Sequence, residues 1–340
     1  MSKRNPFLPI DLQILSNSEE EQERTRKVFE YLKLLASNNE FMTEQEKTFF
    51  CMCVKNSLLN DGNVSNYLCC ENYLFKELYL TYWADLTGTG RYTKLYGCDI
   101  KEVPLSEKQA DLEKLISTAK DWEELVIKEN HSEKLLQAMS KEARESIKLL
   151  NKEPEFNPQN NPFFKGSFLY KYKKWNLILY AKYIYLMAKE VFEYSTKEEF
   201  HFNLCGQSIE MDELSIIHIL QRHFGEGVKK FQSGKSHFYG EFKPKELNNQ
   251  FRDILARIEQ SQTLTAGDIF KLPFLYKQHP YMIWISKKTK QEKGQKGNIK
   301  FLHLSSFHPI KDKDLLIDLE NNYELILIDN ELSIYRLKTQ

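Results

Sequence analysis

Between Ile217 and Gly225 the chain reads Ile217-His218-Ile219-Leu220-Gln221-Arg222-His223-Phe224-Gly225, so two imidazoles and a guanidinium crowd into one short segment. Imidazole titrates near neutral pH and is the usual group for moving protons, while arginine offers a charged fork to phosphate or carboxylate. Seven of the eight histidines lie at or beyond His201, and only His131 precedes them. Acid–base chemistry, if the chain performs it, belongs to its last 140 residues.

An element must present that cluster. Asp212 is suited to cap a helix that Gly225 stops. At 100° per residue Ser215, His218 and Arg222 fall on one side of that helix. Ile216, Ile219, Leu220 and Phe224 form the apolar arc, into which His223 points. The two histidines are then about 140° apart, and a histidine on an apolar arc is more often a hydrogen-bonded core residue than a catalyst.

Polar partners follow on predicted strands. One, 298–305, leads into His303-Leu304-Ser305-Ser306-Phe307-His308-Pro309; another, 281–286, ends at Lys287 and Lys288. Two-residue alternation puts Phe301, His303 and Ser305 on one face and Leu302 and Leu304 on the other. From Lys277 to Lys300 seven lysines face one acid, Glu292. Such a patch suits phosphates, and it equally suits a solvated hairpin tip. Metal-free RNA cleavage needs a base for the 2'-hydroxyl, an acid for the 5'-oxygen and a cation for the phosphate. All three residue types are present.

The remaining pattern predicts the scaffold. Residues 19–150 read as helices: an amphipathic one over 19–37, a capping box at Thr43 and Glu46, and apolar or aromatic stretches at 49–59 and 73–83. A glycine break at Gly88 and Gly90 precedes two more helices at about 105–128 and 131–150. The Pro/Asn run 155–162 disfavours helix and strand, so a boundary is expected there, with a helical domain over 1–155 and a second domain over 165–340. The second domain opens on a long aromatic helix, 167–194, whose start is crowded with Lys165, Lys171, Lys173 and Lys174. A hairpin about Gly206, the histidine helix, a helix over 244–260 and strands at 281–286, 298–305, 323–328 and 332–337 follow. Helices first and an antiparallel sheet afterwards give an α+β fold.

At 340 residues, net charge zero and 41% hydrophobic content, the chain is globular. It shows no signal peptide, and its most apolar stretch, 175–187, is too short to span a bilayer, so a cytoplasmic location without membrane association is expected. Six cysteines, five of them by Cys98, form no C-x-x-C pair, favour core thiols and argue against zinc. Gln232-Ser233-Gly234-Lys235-Ser236 ends like a phosphate loop but has Lys229 where the first glycine belongs, so ATP binding is not expected. No H-E-x-x-H occurs, and neither metal nor cofactor is expected.

The order of hairpin, helix with His-Ile-x-x-Arg-His, second helix and antiparallel strands with a serine-bearing end resembles the barnase, EndoU, colicin-RNase and RelE superfamily over about residues 200–340. The similarity is greatest to its phage- and toxin-associated branches. The resemblance implies a metal-independent endoribonuclease, a toxin or anti-phage effector, with an RNA substrate and a partner or inhibitor recruited by the helical N-terminal region. His218 or His223 would be base or acid, Arg222 or Lys287 would bind phosphate, and Ser305, Ser306 or His308 would complete the site. Lys287, Lys288, Lys290 and Lys300 would carry RNA. The rival readings are a non-catalytic interaction protein, in which the histidine helix is core, and an RNA-binding module that does not cleave.

Overall fold

The computed structural model describes residues 5–13, 18–38, 40–61, 68–96, 99–127, 130–156, 163–193, 195, 200–224, 238, 241–265, 267–291 and 298–338, apart from some side chains within helices and strands. Residues 157–162 of the Pro/Asn run 155–162, the phosphate-loop-like 232–236 and Gly225 lie outside the described residues. The fold is α+β, with helices in the N-terminal part and the large sheet in the C-terminal part. Two compact units divide at Leu115/Ile116, about forty residues ahead of the expected boundary. The run around 154–166 therefore lies inside the second unit.

The first unit holds α1 (Glu19–Ser37), α2 (Glu44–Asp61), α3 (Leu68–Tyr82) and a two-stranded hairpin, β1 (Thr93–Tyr96) with β2 (Asp99–Glu102). The capping box forms as expected: the Thr43 amide donates to Glu46 Oε2 at 2.8 Å and the Glu46 amide to Thr43 Oγ1 at 3.2 Å. Val28, Leu32, Leu35, Met42, Phe49 and Phe50 make its core. The hairpin was not expected, since four-residue strands carry too little alternation to stand out.

The division falls within α4 (Leu105–Ile127). The second unit continues with α5 (Lys134–Leu150), α6 (Phe168–Glu193), the hairpin β3 (His201–Leu204) and β4 (Gln207–Glu210), α7 (Glu213–His223) and α8 (Leu247–Ser261). Then come β5 (Lys271–Tyr276), β6 (His279–Gln291), β7 (Asn298–Pro309), α9 (Lys313–Asn322), β8 (Tyr323–Leu327) and β9 (Leu332–Leu337). Among the described residues they form a seven-stranded sheet in the order β3-β4-β7-β6-β5-β9-β8, antiparallel except between β4 and β7. Strand β5, with Pro273 inside it, and helix α9 had no counterpart in the sequence reading. No helix among the described residues is long and apolar enough to cross a membrane.

One face of the sheet carries Phe274, Tyr281, Ile283 and Phe307, all fully buried. Phe251 of α8 packs on Phe307 at 5.0 Å between ring centroids. Helix α7 lies against β7 and against α5 and α6. Strand β4 pairs with β7 only at Ile209–Leu302 and Glu210–His303. From Leu304 onward that edge of β7 has no strand partner among the described residues, and the Ser215 hydroxyl of α7 donates to the Leu304 carbonyl at 2.6 Å. A polar helix residue thus satisfies a backbone group that the short β4 leaves open.

Candidate functional site

Asp212 caps α7 as expected, its side chain accepting from the Ser215 amide at 2.9 Å. The helix runs alongside β7 with matched ends. Asp212 and Ser215 at its start meet His303, and His223 in its last turn stacks on His308, with centroids 5.0 Å apart and rings inclined by 20°. Eleven helical residues and the five steps from His303 to His308 both cover about 16 Å, so the two elements stay in phase.

In a straight strand His303 and His308, five residues apart, would face opposite sides. A β-bulge removes that conflict. The β6–β7 register passes from Trp284↔Ser306 to Ile285↔Leu304, leaving Ser305 as the extra residue. His303, Ser306 and His308 consequently pair with Ser286, Trp284 and Met282, alternate residues of β6, and share one face. Ser305 keeps the face expected of it with His303, since its hydroxyl lies 2.6 Å from that of Ser286, the strand partner of His303.

At the C-terminal end of α7 the sequence-predicted residues His218, Arg222, His223 and His308 come together. The rings of His218 and His223 are 6.4 Å apart despite their angular separation on the helix. His308 Nδ1 lies 3.2 Å from the Ser306 hydroxyl. Burial, helped by the nearby His218, pushes the His308 imidazole below its usual range, so its neutral form is favoured. The residue that sequence reasoning missed is Glu142 of α5. Its Oε1 lies 3.1 Å from His218 Nδ1 and its Oε2 accepts from Arg222 Nη2 at 3.1 Å. Burial works to raise this carboxyl, but the His218 hydrogen bond and the Arg222 charge outweigh it and hold Glu142 below the ordinary carboxylate range. Nothing in the sequence linked it to a helix 76 residues later.

A second polar cluster occupies the start of α7. His303, 1% exposed, has Asp212 Oδ1 at 2.8 Å, Ser215 Oγ at 3.1 Å and Lys288 Nζ at 3.2 Å from the same nitrogen, Nε2. Burial opposes ionisation of Asp212, yet His303, the Ser215 amide and Lys288 together lower it to about 2. Burial also lowers Lys288, against the pull of Asp212. Asp, His and Ser here do not form a nucleophilic triad. A triad needs the carboxylate on one ring nitrogen and the hydroxyl on the other, whereas here both meet Nε2 and Nδ1 is buried without a partner among the described residues. The Ser215 hydroxyl, fully buried, already donates to Leu304.

Of the expected RNA-binding lysines, Lys288 belongs to this second cluster and the other three lie elsewhere on β6 and β7. Lys287 is exposed, with Nζ 5.1 Å from the Phe270 ring centroid, and Lys300 is exposed. Lys290 pairs in the strand with Ile299, and its side chain is outside the described residues. Among the described residues no three His, Cys, Asp or Glu side chains are arranged to hold a metal ion. Cys51 and Cys53 are buried free thiols, and burial pushes Cys53 up to about 12. No protein-family model, no curated protein and no solved structure matches the chain.

Proposed function

We propose that the second unit is a metal-independent endoribonuclease whose site is the histidine cluster at the C-terminal end of α7. The observation that carries this reading is the stacking of His223 on His308 with His218 beside them, three imidazoles from two elements next to Arg222. Two groups that trade a proton in opposite directions must sit within reach of one phosphodiester, and a cation must meet its charge. His308, kept neutral by burial, is the base that takes the 2'-hydroxyl proton. His218, oriented through Nδ1 by Glu142, is the acid that protonates the departing 5'-oxygen. The 2'-oxygen then bonds to phosphorus as the bond to the 5'-oxygen breaks, leaving a 2',3'-cyclic phosphate and a 5'-hydroxyl. Arg222 faces the phosphate, and a role as toxin or anti-phage effector would follow from that activity.

The test is cleavage of total RNA by the full chain in excess chelator, with His218→Ala and His308→Ala alongside. Loss of cleavage in both variants, with cyclic-phosphate ends from the wild type and no cleavage of DNA, supports the reading; magnesium-dependent cleavage or none at all overturns it. A second reading, a non-catalytic interaction protein, is favoured by Glu142, which engages both His218 and Arg222 as a structural ion pair would. Under it both variants would change stability alone.

A further inference from the structure

Away from the histidines, a cavity of about 900 Å³ opens between the second half of α4 and the first turns of α6. Four lysines, Lys120, Lys165, Lys171 and Lys174, line it against two glutamates, Glu123 and Glu124. Glu123 forms an ion pair with Lys174, which leaves the lining with a surplus of positive charge. Trp175 and Tyr170 supply its aromatic wall. Lys120 Nζ lies over the Trp175 ring, 5.7 Å from its centre, so this ring already holds a cation on one face. The Tyr170 hydroxyl donates to Asn151 Oδ1 at 2.8 Å, which fixes that ring as part of the wall.

Three of the lysines, Lys165, Lys171 and Lys174, lie around the start of α6. Helices commonly carry acids in the first turn, where backbone amides point outward and the helix dipole is positive. The first turn of α6 has none, and Lys171 and Lys174 follow directly. An anion seated in the cavity would meet more lysines than carboxylates on its lining. The volume is that of a small-molecule site, and an aromatic face beside cations matches a flat base carrying a phosphate.

We propose that this cavity binds a nucleoside phosphate, its base against Trp175 and its phosphate between Lys165 and Lys171. A free nucleotide and a nucleotide within single-stranded RNA share that chemistry, and the experiment separates them. Trp emission of the full chain is titrated with uridine monophosphate and with a 2'-O-methyl oligouridylate, which 2'-hydroxyl attack cannot cleave, so the result is independent of the ribonuclease reading. Trp175→Phe identifies the reporting ring. Lys165 and Lys171 are both exposed, so the double variant K165E/K171E should fold as the wild type does, which its thermal melt checks.

Saturable quenching is expected in the wild type, absent in W175F and weakened about tenfold or more in K165E/K171E, with a shallower salt dependence. Saturation by the mononucleotide assigns a free nucleotide; saturation by the oligonucleotide alone assigns an RNA segment. Both outcomes support the proposal. No saturable quenching by either probe, or quenching that K165E/K171E leaves unchanged, overturns it.

Discussion

Glu142 on α5 grips α7 at two points, with one carboxylate oxygen 3.1 Å from His218 Nδ1 and the other 3.1 Å from Arg222 Nη2. The carboxylate is nearly buried, whereas His218 and Arg222 are 24% and 31% exposed. Glu142→Ala should therefore cost about 1–3 kcal/mol, less than removal of one partner from a fully buried pair. Urea melts of the full chain check this. Because Glu142 is held below 4.5, its unfolded-state value, its contribution is complete above that pH and fades as pH falls through the lower folded value. The acid limb of the wild-type stability curve should be steeper there than that of Glu142→Gln.

His308 adds an acid limb at higher pH. Its imidazole is depressed from 6.5, so the unfolded chain takes up a proton first and stability declines as pH falls below 6.5 toward the folded value. His308→Asn should flatten that part of the curve. If His308 is the base, kcat/KM for RNA should lose activity below the folded value in the wild type, and the variant should be inactive. A variant that cleaves at the wild-type rate would remove His308 from the mechanism.

Ser305 is a bulge residue bonded to Ser286. Ser305→Ala should lower stability by about 0.5–1.5 kcal/mol and leave cleavage unchanged. Asp212→Ala removes both the α7 cap and the His303 contact, and should cost about 1–3 kcal/mol. If either substitution abolished cleavage with the fold intact, the catalytic centre would have to include it.

A fragment starting at residue 165 omits α5 and with it Glu142, exposing the side of α7 that α5 covers. It should fold poorly or not at all. A fragment from Ile116 keeps the whole second unit and should give a cooperative melt. Circular dichroism of the two fragments decides the matter, and equal stability would place the boundary at the Pro/Asn run after all.

The histidine helix with its Asp212 cap, the capping box at Thr43 and the strands β6 to β9 were legible because each rests on contacts within a few residues or on a short-period pattern. The convergence of His218, His223 and His308 was not. It depends on the Ser305 bulge, since without one extra residue the pleat would send His308 to the far face, and a bulge leaves no mark in the alternation of a strand already interrupted by two serines. The partner of His218 and Arg222 lay equally out of reach, because a carboxylate on a helix in a charged stretch looks solvent-facing until α5 packs on α7 and buries it. Residue types and local periodicity determined which groups are available for chemistry. Long-range packing, with helices docking across dozens of residues and one displaced residue in β7, decided which of them meet.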